Sequence, residues 1–68
     1  MTVDMLSRRQ REIALLVASG ASNKEIAREL AISTKTVKNI LATVFDKTGA
    51  RGRTDLAVQI VRAGLGAS

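Results

Sequence analysis

The chain is punctuated at short intervals by residues that start and stop helices. Ser7-x-x-Gln10 and Ser22-x-x-Glu25 are capping boxes, in which each side chain satisfies a backbone N–H the helix would leave orphaned. Ser33 and Thr54 are further N-cap residues, and Gly20, Gly49 and Gly64 are helix stops. This spacing predicts four short helices, over about 8–19, 23–30, from Ser33 to about 48, and about 55–63. The predicted fold is all-α, a compact four-helix bundle. Residues 1–68 read as one domain with its core in 6–65 and a short lead-in over Met1 to Met5. There is no internal repeat, low-complexity segment or linker.

Each predicted helix has an apolar side. Ile13, Leu16 and Val17 give the first its core stripe, with Arg8, Glu12 and Ser19 nearly opposite. Leu15 falls among polar positions, as an exposed leucine or a partner contact. In the second, Ile26, Ala27 and Leu30 face inward while Lys24, Arg28 and Glu29 face out. Ala31-Ile32-Ser33 then makes a tight break without Gly or Pro, with Ile32 as the pivot between helices. Two capped helices joined by such a turn are a helix-turn-helix arrangement.

The third helix divides most cleanly at about 100° per residue. Val37, Ile40, Leu41, Val44 and Phe45 share one side. Lys35, Lys38, Asn39, Ala42 and Thr43 share the other. That second face offers cations, an amide and a small residue, with no bulky chain to hold a surface away. A helix entering a DNA major groove needs this combination of donors and room. An ordinary solvated face is the plainer reading of such a helix alone; the capped helix and tight turn before it favour DNA. Asp46 lies on the same face two to three turns on, where phosphate would repel it, so only the first two turns are expected in the groove. Arg51-Gly52-Arg53 is a basic loop, either a polar linker or a phosphate clamp at the groove rim.

In the last helix Leu56, Ala57, Ile60 and Val61 are expected to cover the core. Val58 widens the apolar arc to about 200°, beyond the stripe that one buried face requires. A second copy of the domain is the simplest occupant of the extra width; a parent domain or RNA polymerase is the alternative. A wide arc could also wrap a small core more fully.

Composition narrows the function. A chain of 68 residues buries only about 60% of its unfolded surface. With no Cys and no His, neither a disulfide nor a zinc site can staple it. Stability must come from packed aliphatic helices. The net charge is +5, with a pI near 10.9, the electrostatic footprint of a polyanion binder. Phe45 is the one aromatic residue and sits on an apolar face, which disfavours binding single strands by stacking. No apolar run approaches the roughly 20 residues of a membrane span. No signal-peptide core begins the chain, so the cytoplasm is the expected compartment. No cofactor is expected. Without His, Cys, Tyr or a phosphate-binding Gly loop, the inventory argues against an enzyme. A protein-interaction module using Leu15 and the Val58 edge is the more serious rival to DNA binding.

The order of elements and the strings Ser22-Asn23-Lys24-Glu25-Ile26-Ala27 and Lys35-Thr36-Val37-Lys38-Asn39 resemble the LuxR-type (LuxR/FixJ, NarL-like) DNA-binding domain. Leu6-Ser7-x-Arg9-Gln10-Arg11-Glu12-Ile13, Leu30-x-Ile32-Ser33, Lys47-x-Gly49 and Arg53-Thr54 also match, so the resemblance covers residues 6–65. It implies a four-helix fold related to the winged-helix superfamily but without a wing. It further implies a transcription regulator that reads double-stranded DNA with its third helix, usually as a dimer. Lys35, Lys38 and Asn39 are then the expected base contacts. Asn23, Lys24, Thr34, Thr36, Thr43, Arg51 and Arg53 are the expected backbone contacts. Val58, Val61, Arg62 and Leu65 would form the dimer contact. Departures from the family are Ile40, where His is common, Ala42, often longer and polar, and Ala14 and Ala21, which lighten the core. Such domains usually follow a phosphoreceiver or sensor domain, and the chain reads as either an autonomous regulator or a fragment.

Overall fold

The first three helices begin at the serines the sequence marks. In the computed structural model, which describes residues 5–64, α1 spans Arg8–Ala18, α2 Asn23–Leu30, α3 Thr34–Thr48 and α4 Arg53–Arg62. Among the described residues there is no strand. At α1 the Gln10 N–H donates to Ser7 Oγ at 3.3 Å and the Ser7 N–H to Gln10 Oε1 at 2.9 Å. At α2 the Glu25 N–H donates to Ser22 Oγ at 3.1 Å and the Ser22 N–H to Glu25 Oε1 at 2.8 Å. At α3 Ser33 Oγ accepts from the Thr36 N–H at 3.0 Å.

The helix ends are built in two ways. After α1, Gly20 takes a left-handed backbone, φ 96°. The Ala21 N–H reaches Leu16 O and the Gly20 N–H reaches Val17 O, the paired bonds of a Schellman turn. The break after α2 uses the same bonds, Ile32 N–H to Ala27 O and Ala31 N–H to Arg28 O. Here the left-handed residue is Ala31, φ 56°, in the one described non-glycine position with positive φ. Its Cβ makes that conformation cost roughly 1–2 kcal/mol. The tight turn between α2 and α3 is therefore strained.

The start of α4 differs from the sequence expectation. Thr54 is not the cap: the helix begins two residues earlier, after Gly52, whose backbone is fully extended, and no side chain caps it. Asp55 instead reaches back to accept the Arg51 N–H at 2.9 Å. That bond braces the loop against the first turn and lets the helix start at Arg53.

The core is aliphatic: Leu6, Ile13, Ala14, Val17, Ile26, Ala27, Val37, Leu41, Val44, Leu56 and Ile60 are buried together. α1 packs chiefly on α4 and also on α3, and α2 packs on α3. Leu15 and Leu16 are both half-buried against this core, so Leu15 is neither a free surface leucine nor wholly inside. Ile32 also packs partly against the core, as expected of a pivot. Ile40 and Phe45 flank the buried face of α3. Val61 is a correction: it is 67% exposed and does not cover the core, because Leu56 and Ile60 alone line the inner side of α4. Thr48, the one buried polar residue among the described residues, donates its hydroxyl to Val44 O at 2.8 Å and accepts from the Ala50 N–H at 3.2 Å. Met1 to Asp4 of the expected lead-in, and Leu65, lie outside the described residues.

Candidate nucleic-acid interface

The buried side of α3 fixes which of its residues remain available. Val37, Leu41 and Val44 enter the core, so helical geometry turns Thr34, Lys35, Lys38, Asn39, Ala42 and Thr43 outward, and all six are exposed. Among the described residues the side chains of Lys35, Lys38 and Asn39 have no hydrogen-bond or ion-pair partner. The three sit within the first two turns and span about 6 Å of helix rise. Asp46 lies about 12 Å of rise beyond Lys38 and is exposed on the same side. The cationic and anionic parts of this face are thus well separated along the axis.

Two threonines of this helix already bond locally. Thr36 Oγ1 lies 2.9 Å from Ser33 Oγ, and Thr43 Oγ1 donates to Asn39 O at 3.4 Å. Each hydroxyl keeps further hydrogen-bonding capacity.

The preceding helix, α2, packs on α3, and its N-terminus carries further candidate contacts. Asn23 is half-buried and Lys24 exposed at its first two positions. The capping box uses the Glu25 N–H and the Ser22 N–H. The first helical bond runs from the Ile26 N–H to Ser22 O. The backbone N–H groups of Asn23 and Lys24 remain open, as the first donors of a helix do. The Ser22 backbone and hydroxyl donors beside Glu25, and less so Arg28, hold its carboxyl below the usual carboxylate range. Glu25 is therefore an anion committed to the cap.

The basic loop separates into two unlike arginines. Arg51 is exposed, and among the described residues only its backbone N–H is engaged. Arg53 turns back toward α2: one guanidinium nitrogen donates to Asn23 Oδ1 at 2.8 Å and the other to Ala21 O at 2.6 Å. Sequence reasoning had no signal for this contact, which joins residues 30 and 32 positions apart. Lys47 was missed in the same way. Its ammonium donates to Gln10 Oε1 at 3.0 Å and to Met5 O at 3.4 Å, tying the end of α3 to the start of α1.

On the far side, Val58 (41% exposed) and Val61 project from α4, where Thr54, Ala57 and Arg62 complete a shallow apolar groove. Among the described residues no helix is long and apolar enough to cross a membrane.

Two capped helices, a tight turn and an outward cationic face on the second define a helix-turn-helix DNA-binding domain. The match to known families is specific: residues 4–60 fit the model of the luxR family of bacterial regulatory proteins. The chain belongs to that family and is a LuxR-type DNA-binding transcription regulator domain. It is 40% identical over 60 residues to the spore germination protein GerE of Bacillus subtilis, covering 88% of this chain and 81% of that one. It is 47% identical over 55 residues to the putative HTH-type transcriptional regulator YhjB of Escherichia coli. It is 42% identical over 55 residues to the transcriptional regulatory protein LiaR of Bacillus subtilis. Those two alignments cover 81% of this chain but only 28% of YhjB and 26% of LiaR.

Proposed function

We propose that the domain binds double-stranded DNA sequence-specifically, with the first two turns of α3 in the major groove. The observation that carries this is the exposed set Lys35, Lys38 and Asn39, without side-chain partners among the described residues, on a helix whose opposite side is locked in the core. Lysine donates to guanine O6 and N7, and asparagine pairs with adenine N6 and N7. Ala42 lets the helix approach closely. Asn23, Lys24, Thr34, Thr36, Thr43 and Arg51 grip phosphates on either side and set the register without reading sequence. Asp46 ends the inserted portion by repulsion.

The domain acts as a homodimer through α4, with Val58, Val61 and Arg62 at the contact. The longest dimension of one copy is 28 Å. Half-sites one helical turn apart are centred about 34 Å from each other. One copy cannot cover both, and the exposed valines give a second copy an apolar seat. RNA polymerase is the other partner that could use this surface, and the cytoplasm is the compartment such a role requires.

Selection of bound duplexes from a random pool tests the reading. An enriched, paired motif is expected. Recovery of unenriched sequence, or no retention at low salt, would leave the interaction-module reading standing in its place.

A further inference from the structure

We propose that Arg53 is a positioning residue for phosphate binding, acting through Asn23 and the Ala21 carbonyl, and is not itself a phosphate ligand. The inference rests on the DNA-binding reading above. The guanidinium opens α4 and donates in two directions at once, to Asn23 Oδ1 and to Ala21 O. These acceptors flank Ser22, the N-cap of α2. A guanidinium has donors only, so it decides which end of the Asn23 amide faces it. The oxygen must turn to Arg53, and the two amide N–H donors are left at the opposite end. Together with the open backbone N–H groups of Asn23 and Lys24 and the Lys24 ammonium, they make an anion seat at a helix N-terminus. Moving Arg53 onto a phosphate would strip Asn23 Oδ1 and Ala21 O of this donor and free the amide to turn over. The planar fork can hold both acceptors together; a lysine ammonium, a single point on a flexible stem, cannot reproduce that geometry.

The test uses Arg53→Lys, Arg53→Ala and Asn23→Ala, with far-ultraviolet dichroism and melting to show that each variant is folded. Titration against a selected duplex across salt concentrations gives affinity and salt slope. Arg53→Lys and Arg53→Ala should each bind about tenfold more weakly, the worth of one or two hydrogen bonds. Their salt slopes should change by only a small part of the roughly 0.9 that one phosphate carries. Adding Arg53→Ala to Asn23→Ala should weaken binding little further. If Arg53→Ala does not fold, Arg53→Lys and Asn23→Ala carry the comparison. A readout without DNA is available because the chain has two asparagines. In the free protein, the side-chain amide signals of Asn23 should stand apart from those of exposed Asn39 in a proton–nitrogen NMR spectrum. Arg53→Lys should shift the Asn23 pair markedly and leave the Asn39 pair in place. Wild-type affinity for Arg53→Lys, with a slope lowered by about 0.9 in Arg53→Ala, would make Arg53 a phosphate ligand and overturn the proposal. Coincident, unshifted asparagine signals would also overturn it. Failure of the wild-type protein to bind any duplex would sink the DNA reading and this one together; a shifted Asn23 signal would then mark the contact as purely structural.

Discussion

Replacing Lys38 by alanine separates recognition from stability. The side chain is exposed on the second turn of α3 and, among the described residues, has no hydrogen-bond or ion-pair partner. Its removal leaves no buried group unsatisfied and opens no cavity. Alanine is the better helix former, by a few tenths of a kcal/mol. Folding stability should therefore stay within about 0.5 kcal/mol. For a domain of this size that keeps the melting temperature within about 2–4 °C of wild type. Binding should behave differently. A lysine that donates to a base edge contributes about 1–3 kcal/mol of discrimination, or about 5- to 150-fold in affinity. Lys38→Ala should lose that factor on the selected duplex and much less on a scrambled one. The salt slope should be nearly unchanged, because no phosphate neutralisation is removed. The assay is fluorescence anisotropy with both duplexes over a range of salt concentrations. Equal losses on both, with a slope reduced by about 0.9, would show that Lys38 grips the backbone and does not read bases.

Other predictions follow from the same geometry. Ala31→Gly relieves the left-handed strain after α2 and should stabilise the fold by about 0.5–1 kcal/mol net of the looser unfolded chain, read as a rise in melting temperature. A fall would show that the alanine side chain holds the turn in some other way. Val61→Glu places a charge on the exposed side of α4 and should leave the monomer folded while abolishing cooperative binding to paired half-sites. Unchanged cooperativity in a gel-shift titration would move the dimer contact elsewhere. Glu25 has a lowered folded-state pKa, so its cap stabilises the protein above the ordinary carboxylate value near 4.5 and loses that contribution as pH falls through the folded value. Glu25→Gln should flatten this acid limb in melting curves taken between neutral and acidic pH; an identical limb would place the titration on other carboxylates.

Local chemistry explains which features could be read in advance. Ser7, Ser22 and Ser33 each bond within three residues of themselves, so their roles are visible in a short window. The two sides of α3 were equally plain, since the 3.6-residue period alone separates Val37 and Leu41 from Lys38 and Asn39. The start of α4 was misplaced because a threonine before an aspartate has the pattern of a cap, while the bond that matters runs from Asp55 back to Arg51. Periodicity gave α4 a wide apolar arc but could not say that Val61 lies on its outer edge. Ala31 carries no mark of its left-handed backbone, which glycine would have announced. Arg53 and Lys47 find their partners on elements far off in sequence, and no spacing rule pairs residue 10 with 47 or 23 with 53.

The way α1 is packed bears on how two copies would align along a duplex. α1 rests chiefly on α4 and also on α3 and α2. Any grip a second molecule takes on α4 is passed to the reading helix mainly through this one rod, with the Arg53 fork as a cross-brace. Its buried Ile13, Ala14 and Val17 leave little slack for sliding. Two such heads would be locked in rotational phase, and inserting half a turn of base pairs between their sites would defeat them where inserting a whole turn would not.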